Sequence, residues 1–363
     1  MSATVETLKL EDVLKLEEED YSRKIPIFNN VLPSGWARLD EALGGGFRNG
    51  LYVLTGEPKA GKSALAIYLQ LMVALRLGSP IGPHGYAWPL KYCTLELSAA
   101  DVFMRTLSAL SYEAGCLEAF AWPDVPTIIK RSRESGVAYA DTPMARAAEL
   151  LREKAGNGCI DILDLSQGAE SDCNYLVEDG EIVDIIYAGD IDEIINEDWP
   201  ERNYRNGGPA KKTDVEAITG WWKERDDWGN WESTPIASPL TVVDYLQLLT
   251  SCRAGAGADV YRTMNSVIAY LRMVGCPVLA ISEMNRTALR GTDRGGGRYG
   301  ASGSSRIEYS ALAALRLTLE RDEGEAGRKV ALHVDLSRYG APTNSDPLLL
   351  RYMPQYNSFC PMD

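Results

Sequence analysis

Hydrophobic residues in this chain form short runs that alternate with longer stretches of helical period. Apolar runs of about four to six residues are typical of buried strands, and a spacing of about 3.6 residues predicts helices. The predicted strands are Leu51–Leu54, Tyr92–Leu95, Ile160–Leu163, Leu240–Asp244, Pro277–Ser282, Ala313–Leu319 and Val330–Leu336. The predicted helices are Thr7–Tyr21, Trp36–Leu43, Ala64–Leu77, Ala99–Glu113, Thr213–Glu224 and Val260–Val274. Alternating strands and helices predict an α/β fold around a mostly parallel central sheet.

The stretch 167–212 differs from the rest of the chain because it is acidic and has strand-like pieces around Tyr175–Val177 and Ile182–Ala188. Fourteen carboxylates and no Lys or Arg lie between positions 155 and 201, so the remainder is neutral although the net charge is −14. We interpret 167–212 as a surface insertion in one domain spanning 34–363, preceded by a helix and linker at 1–33. The overall acidity therefore does not exclude a DNA-binding face elsewhere.

Composition narrows the class of protein. With 363 residues, 45% of them hydrophobic and 24% charged, the chain resembles soluble globular proteins. It shows no signal sequence and no apolar run long enough to span a bilayer, so we expect a cytoplasmic protein without membrane contact. Seven scattered cysteines and two histidines indicate free thiols rather than a zinc site.

Positions 56–63 carry the most informative motif. They read Gly56, Glu57, Pro58, Lys59, Ala60, Gly61, Lys62 and Ser63, the pattern G-x-x-x-x-G-K-S between a predicted strand and a predicted helix. Such a P-loop surrounds phosphate oxygens with backbone N–H groups. Lys62 would supply charge to the β- and γ-phosphates, and the Ser63 hydroxyl would ligate Mg²⁺. The sequence therefore predicts binding of ATP and Mg²⁺.

Further motifs extend beyond this loop. The stretch 34–63 resembles the beginning of the ATPase core of the RecA superfamily, and more narrowly the DnaB-type replicative helicases and their KaiC and RadA relatives. T-L-E-L-S at 94–98 is similar to the S-L-E-M-S of DnaB-type proteins, and V-V-D-Y-L-Q-L at 242–248 closely matches I-D-Y-L-Q-L. I-S-E-M-N-R at 281–286 resembles L-S-Q-L-N-R, and S-R-Y-G-A-P at 337–342 resembles the K-x-R-x-G-P turn. The resemblance covers the chain from about residue 34 onward, apart from the insertion.

This resemblance implies roles for individual residues. Asp244 would hold Mg²⁺ through water beside Ser63. Glu96 matches the general base that deprotonates the attacking water. A carboxylate at a strand end next to the P-loop strand can also simply cap the following helix, and that alternative stays open. Arg338 matches the arginine finger that reaches into the nucleotide of the neighbouring subunit; the alternative is an ordinary surface arginine.

The resemblance also implies two DNA-contacting loops. Glycine with spaced arginines suits a phosphate backbone that is bound without reading its sequence, although a solvated loop has the same composition. The expected contacts to single-stranded DNA are Arg253 in the first loop and Arg286, Arg290, Arg294, Arg298 and Gly303 in the second.

Three departures from the DnaB pattern concern the nucleotide site. The family's lysine two residues before the finger is Leu336 here, and the glutamine of L-S-Q is Glu283. The acidic I-E-Q-D-A-D reads I-E-Y-S-A-L at 307–312. A lost positive charge and an added negative charge near the γ-phosphate argue against fast hydrolysis but not against nucleotide binding.

The sequence thus predicts an ATP-hydrolysing, DnaB-like DNA helicase or translocase core of DNA replication, assembled as a ring, with a hexamer expected, around single-stranded DNA. An alternative is a RecA-like ATPase switch with weak hydrolysis that binds a partner protein through the acidic insertion. A recombinase-type filament is a third possibility, and it would form open helical assemblies.

Overall fold

The structure of the protein is a computed structural model that describes a defined part of the chain. The described residues are 31–77, 90–114, 119–135, 141–155, 160–164, 186–187, 213–214, 240–250, 260–272, 276–283, 310–324, 327–343 and 346–362. The predicted helix at Thr7–Tyr21 and all but two residues of the predicted insertion lie outside these ranges. The domain boundaries proposed above therefore remain predictions.

Helices and strands alternate from residue 37 to residue 113 of the described chain, and two more α-helices then follow one another before the next strand. The helices are α1 (Ala37–Leu43), α2 (Lys62–Leu77), α3 (Ala99–Glu113), α4 (Val125–Ser135), α5 (Pro143–Ala155) and α6 (Val260–Leu271), with 3₁₀ turns at Trp122–Asp124 and Leu246–Leu248. The first strands are β1 (Gly50–Gly56), β2 (Leu90–Thr94), β3 (Ile160–Asp164), β4 (Ile186–Tyr187), β5 (Thr213–Asp214) and β6 (Thr241–Asp244). The later strands are β7 (Leu249–Thr250), β8 (Pro277–Ile281), β9 (Ala313–Asp322), β10 (Arg328–Ser337), β11 (Leu348–Met353) and β12 (Ser358–Pro361).

One sheet organises the molecule. Its ten strands lie in the order β12-β11-β10-β9-β1-β8-β6-β2-β3-β4. The six strands from β9 to β3 in this order are parallel, which confirms the predicted α/β class with a mostly parallel central sheet. Strands β10, β11 and β12 continue the sheet as an antiparallel meander. Their connections are too short for the crossover of about a dozen residues or more that a parallel pair needs.

The sheet separates two hydrophobic clusters. Side chains of α2, α3 and α5 pack on one face, and those of α6 pack on the other. Because side chains alternate along a strand, Tyr92 and Val242 face the α2 side while Cys93 and Val243 face α6. No helix within the described ranges is both long and apolar enough to cross a membrane.

The structure corrects one predicted element and describes part of another. Thr213–Asp214 is a strand that pairs in parallel with β7, so the predicted helix Thr213–Glu224 is wrong at its first two residues. The ladder to β7 overrides the local helical pattern at these two positions. Residues 186–187, inside the predicted strand-like piece Ile182–Ala188, pair with β3 and join the edge of the main sheet.

Candidate nucleotide-binding site

The loop at 57–61 connects the buried strand β1 to α2, the strand–loop–helix arrangement that its motif predicted. Two glycines are needed here for close packing. A Cβ on Gly56 would lie 2.4 Å from the carbonyl oxygen of Leu317, and one on Gly61 would lie 2.9 Å from the ring of Tyr352. The loop is therefore pressed against β9 and β11, where a side chain at either glycine would not fit.

Lys62, the first residue of α2, extends back over this loop. Its ammonium group donates hydrogen bonds to the carbonyl oxygens of Gly56 at 3.0 Å and Glu57 at 3.1 Å. Burial lowers the pKa of Lys62, and the negative charges of Asp244, Glu283 and Glu96 oppose that shift. Lys62 therefore lies within the electrostatic reach of carboxylates from three different strand ends.

Asp244 is the last residue of β6 and is 1% exposed. The Tyr92 hydroxyl donates a hydrogen bond to its Oδ2 at 2.9 Å, and the Ser63 hydroxyl bonds to the same carboxylate. Burial raises the pKa of Asp244, and these two hydrogen bonds oppose the rise. Burial and the charge of Asp244 raise the pKa of Tyr92 well above its ordinary value, so the phenol remains a donor.

Ser63 and Asp244 thus come together as the sequence predicted. A hydroxyl and a carboxylate are oxygen ligands of the kind that Mg²⁺ prefers, and it commonly takes only one or two protein ligands beside water and phosphate. The described residues hold no group of three or more His, Cys, Asp or Glu side chains that could bind a metal ion. The hydroxyl of Ser63 and the carboxylate of Asp244 fit a cation that is bound together with a nucleotide.

Glu96 follows β2 and is exposed at the same edge of the sheet. The sheet order places β8 and β6 between β2 and β1, so Glu96 is not on a strand next to the P-loop strand, as the sequence analysis assumed. Ser98 caps α3, because its Oγ accepts the backbone N–H of Asp101 at 3.0 Å. The alternative role of Glu96 as that helix cap is therefore wrong.

A scan against protein-family models finds no match. The replicative DNA helicase DnaC of Bacillus subtilis (strain 168) is 27% identical over 152 residues, which cover 38% of this chain and 32% of that protein. The chain thus matches about a third of the length of this curated relative.

Two solved structures match nearly the whole chain. One is an ATPase domain with a TM-score of 0.60 and 14% identity, and the match covers 99% of this chain and 100% of that one. The other is a DnaB-like replicative helicase, solved with its interactions with primase, with a TM-score of 0.58 and 14% identity, covering 98% and 70%. The chain has the RecA-like fold of DnaB-type ATPase domains. At this identity the likeness establishes the fold alone.

Glu283 lies at the end of β8, which is the neighbour of β1 in this RecA-like sheet. The backbone N–H of Ser282 donates to the carbonyl of Leu54 in β1 at 2.9 Å. Gln247 bridges β6 and β8, since its amide donates to Ser282 Oγ at 2.8 Å and accepts the Glu283 N–H at 3.1 Å. Gln247 belongs to the motif V-D-Y-L-Q-L, but the motif alone does not reveal this contact.

Arg338 occupies the opposite edge of the RecA-like sheet. Strand β10 begins at Arg328, which donates to the carbonyl of Lys59 in the P-loop at 3.4 Å, and it runs antiparallel to β9. Its ten residues span about 30 Å at roughly 3.3 Å each. Arg338 follows the far end, where its Nε donates to the carbonyl of Ala311 at 2.9 Å. The structure therefore does not bring Arg338 to the P-loop of its own chain.

The predicted DNA contacts lie outside the described residues. They are Arg253, Arg286, Arg290, Arg294, Arg298 and Gly303. Thr250 of β7 and Glu283 are the last described residues before the two loops that carry them. Both loops therefore begin beyond the carboxyl ends of β6 and β8. The DNA contacts stay predictions.

Proposed function

We propose that this chain is the ATPase core of a DnaB-like DNA helicase or translocase, which hydrolyses ATP as a ring oligomer on single-stranded DNA. One observation carries the proposal: Lys62, Ser63 and Asp244 converge at one edge of a RecA-like sheet, with Glu96 at the same edge. This set contains a phosphate-binding lysine, oxygen ligands for a cation and a carboxylate able to act as a base.

Phosphate binding would rest on the P-loop. The N-terminus of α2 and the loop N–H groups favour an anion there, and Lys62 adds a full positive charge. Ser63 and Asp244 would hold Mg²⁺, which neutralises charge on the transferred phosphoryl group when it is bound. The burial of Asp244 keeps its orientation fixed while the nucleotide exchanges.

Glu96 is our candidate for the general base. It is exposed at the mouth of the site, where an attacking water has access, and its charge acts on both Lys62 and Asp244. Ser98 already caps the amino end of α3, so the carboxylate of Glu96 is not needed as its cap. A base near the phosphates orients the water and accepts its proton.

The position of Arg338 supports a site shared between two copies of the chain. Its guanidinium lies about 30 Å along β10 from the P-loop edge, so it can act only on the nucleotide of another copy. A head-to-tail contact of this kind closes into a ring when its rotation permits. A hexameric ring and single-stranded DNA as its substrate follow from the resemblance to DnaB-type helicases.

The deciding experiment measures ATP hydrolysis by the purified protein with and without single-stranded DNA. We expect DNA to stimulate hydrolysis, and Glu96→Gln to abolish the stimulated rate because the water loses its base. Glu41→Gln, an exposed substitution on α1, is the matched control and should leave both rates unchanged. Hydrolysis that does not respond to DNA, or survives in Glu96→Gln, would contradict the motor proposal.

A second candidate function is a nucleotide-dependent switch with weak hydrolysis that binds a partner protein through the acidic insertion. The observation that favours it is Glu283, whose charge acts on Lys62 and would oppose a γ-phosphate there. Stable ATP-dependent assembly with negligible turnover in the presence of DNA would favour the switch over the motor.

A further inference from the structure

Tyr92 makes a polar contact deep in the core. The residue is 0% exposed, and its hydroxyl lies 2.9 Å from Oδ2 of Asp244, which is 1% exposed. A buried hydroxyl without a hydrogen-bond partner is destabilising, and a buried carboxylate without one is more so. Each of these two groups therefore provides a hydrogen-bond partner for the other.

The register of the sheet explains how they meet. In the parallel pair of β2 and β6, Tyr92 lies opposite Val242. Asp244 is two residues beyond Val242, so it projects from the same face, and both tyrosine and valine belong to the cluster beneath α2. The length of a tyrosine side chain carries its hydroxyl from the level of Val242 to the level of Asp244.

Two hydroxyls thus bond to one carboxylate, and they come from parts of the fold with different surroundings. Ser63 is half-buried at the start of α2, where phosphate and cation would bind. Tyr92 lies in the middle of a strand whose five residues are all buried. Its position is fixed by the core and does not depend on what occupies the P-loop.

We propose that Tyr92 is a positioning residue, which holds Asp244 from within the core so that the carboxylate stays aimed at the cation beside Ser63. This inference rests on the proposed function, since it assumes that the site binds Mg²⁺ with a nucleotide. Partners that orient a metal-binding carboxylate contribute to metal affinity, and their loss typically costs about 10- to 100-fold.

A packing role for Tyr92 is the competing explanation, and its hydroxyl distinguishes the two. Tyr92→Phe keeps the ring that fills the core and removes only the donor to Asp244. Tyr52→Phe is a matched control, because Tyr52 is 1% exposed and its hydroxyl accepts the backbone N–H of Arg48 at 2.7 Å. That hydrogen bond lies at the amino end of β1, away from Asp244.

The test measures equilibrium binding of a fluorescent, non-hydrolysable ATP analogue by the full chain while Mg²⁺ is titrated. In Tyr92→Phe we expect the Mg²⁺ concentration at half-saturation to rise by about 10- to 100-fold, with binding in EDTA unchanged. Excess Mg²⁺ should restore full binding, which a folding defect would not allow. Tyr52→Phe should keep the wild-type Mg²⁺ dependence, although we expect thermal unfolding to show a loss of stability comparable with that of Tyr92→Phe.

The outcomes distinguish the positioning role of Tyr92 from the proposed function. Equal Mg²⁺ dependence in Tyr92→Phe and Tyr52→Phe would overturn the positioning role and leave nucleotide binding intact. Wild-type protein that binds no nucleotide, or binds it equally well after Lys62→Ala, would overturn the proposed function and this inference with it.

Discussion

The two edges of the central sheet contrast in charge and in burial. At the carboxyl edge, Lys62 is surrounded by the charges of three carboxylates, and one of them, Asp244, is buried. At the opposite edge, Arg338 is exposed beside Tyr339, whose side chain is 46% exposed. The carboxyl edge is acidic and the edge that carries Arg338 is basic, so the two are complementary in charge, and one strand, β10, connects them. In the proposed ring, each copy of the chain would therefore carry two halves of a site that it cannot join by itself.

The edge that carries Arg338 is held by several side-chain and backbone contacts. The backbone N–H of Arg338 donates to Leu312 and its Nε to Ala311, both at 2.9 Å. Arg48 lies over the ring of Tyr339, with its guanidinium carbon 5.0 Å from the ring centroid. A pre-organised arginine loses little entropy when it meets a phosphate, as a residue acting on another subunit requires.

The largest expected effect is a loss of ATP turnover without a loss of nucleotide binding. Arg338→Ala should lower the ATPase rate by about 10³-fold, the lower end of the range for an arginine finger, because transition-state charge is left unneutralised. Nucleotide affinity measured by fluorescence should stay near the wild-type value. Arg38→Ala removes an exposed arginine that pairs with Asp346 on the surface and should change neither quantity.

A mixing experiment tests the contrast directly. Lys62→Ala and Arg338→Ala proteins should each be inactive alone, yet recover part of the activity when mixed and reassembled. An intact P-loop from one copy then meets an intact arginine from the other. Absence of any recovery, with mixed rings confirmed by native mass spectrometry, would show that the two edges do not cooperate between subunits.

Much of the fold could be predicted from the sequence because its strands are apolar and its helices periodic. The prediction overlooked α4 and α5, although α5 buries Met144, Ala147, Ala148, Leu151 and Ala155 at helical spacing. It also overlooked β11, whose alternating burial is a period-2 pattern. The antiparallel course of β10 is not visible in its own residues. It follows from the connection to β9, which is too short for the crossover that a parallel pair needs. This reason applies only once β9 and β10 are known to be neighbours in the sheet.

Only part of the candidate site could be predicted from the sequence. Motifs named Lys62, Ser63 and Asp244, since their chemistry depends on residue type and spacing. Motifs could not show that Tyr92 reaches Asp244, because this contact depends on the register between two strands and joins residues 152 positions apart. Nor could they show that Ser98 rather than Glu96 caps α3, a choice made by the local backbone.

A smaller change should sharpen the acidic edge. Glu283→Gln removes one of the carboxylates whose charge acts on Lys62 and keeps the side-chain shape. We expect ATP to bind about 3- to 10-fold more tightly relative to ADP, because the γ-phosphate adds charge that Glu283 repels and solvent screens in part. The measurement is the ratio of the two dissociation constants by competition with a fluorescent nucleotide.

Glu323→Gln, an exposed substitution in the turn between β9 and β10, is the control for this change in net charge. A general electrostatic effect would alter the ratio equally in both variants. Our expectation is that only Glu283→Gln shifts it, and an unchanged ratio in that variant would mean that Glu283 does not face the γ-phosphate.

The smallest expected effect lies in β10 between the two edges. His333 Nε2 is 3.2 Å from Thr318 Oγ1, beside the ion pair of Arg316 and Asp335, whose atoms approach to 2.6 Å. Burial and then the charge of Arg316 lower the pKa of His333, and Asp335 and Glu320 oppose the shift. The folded state thus binds fewer protons than the unfolded chain below about pH 6.5, so acidification should destabilise it.

His333→Gln, which keeps a hydrogen-bonding group near Thr318, should lose less stability than wild type when urea unfolding is compared at about pH 5.5 and about pH 7.5. Equal losses in the two proteins would show that the strand joining the edges is insensitive to protonation at His333.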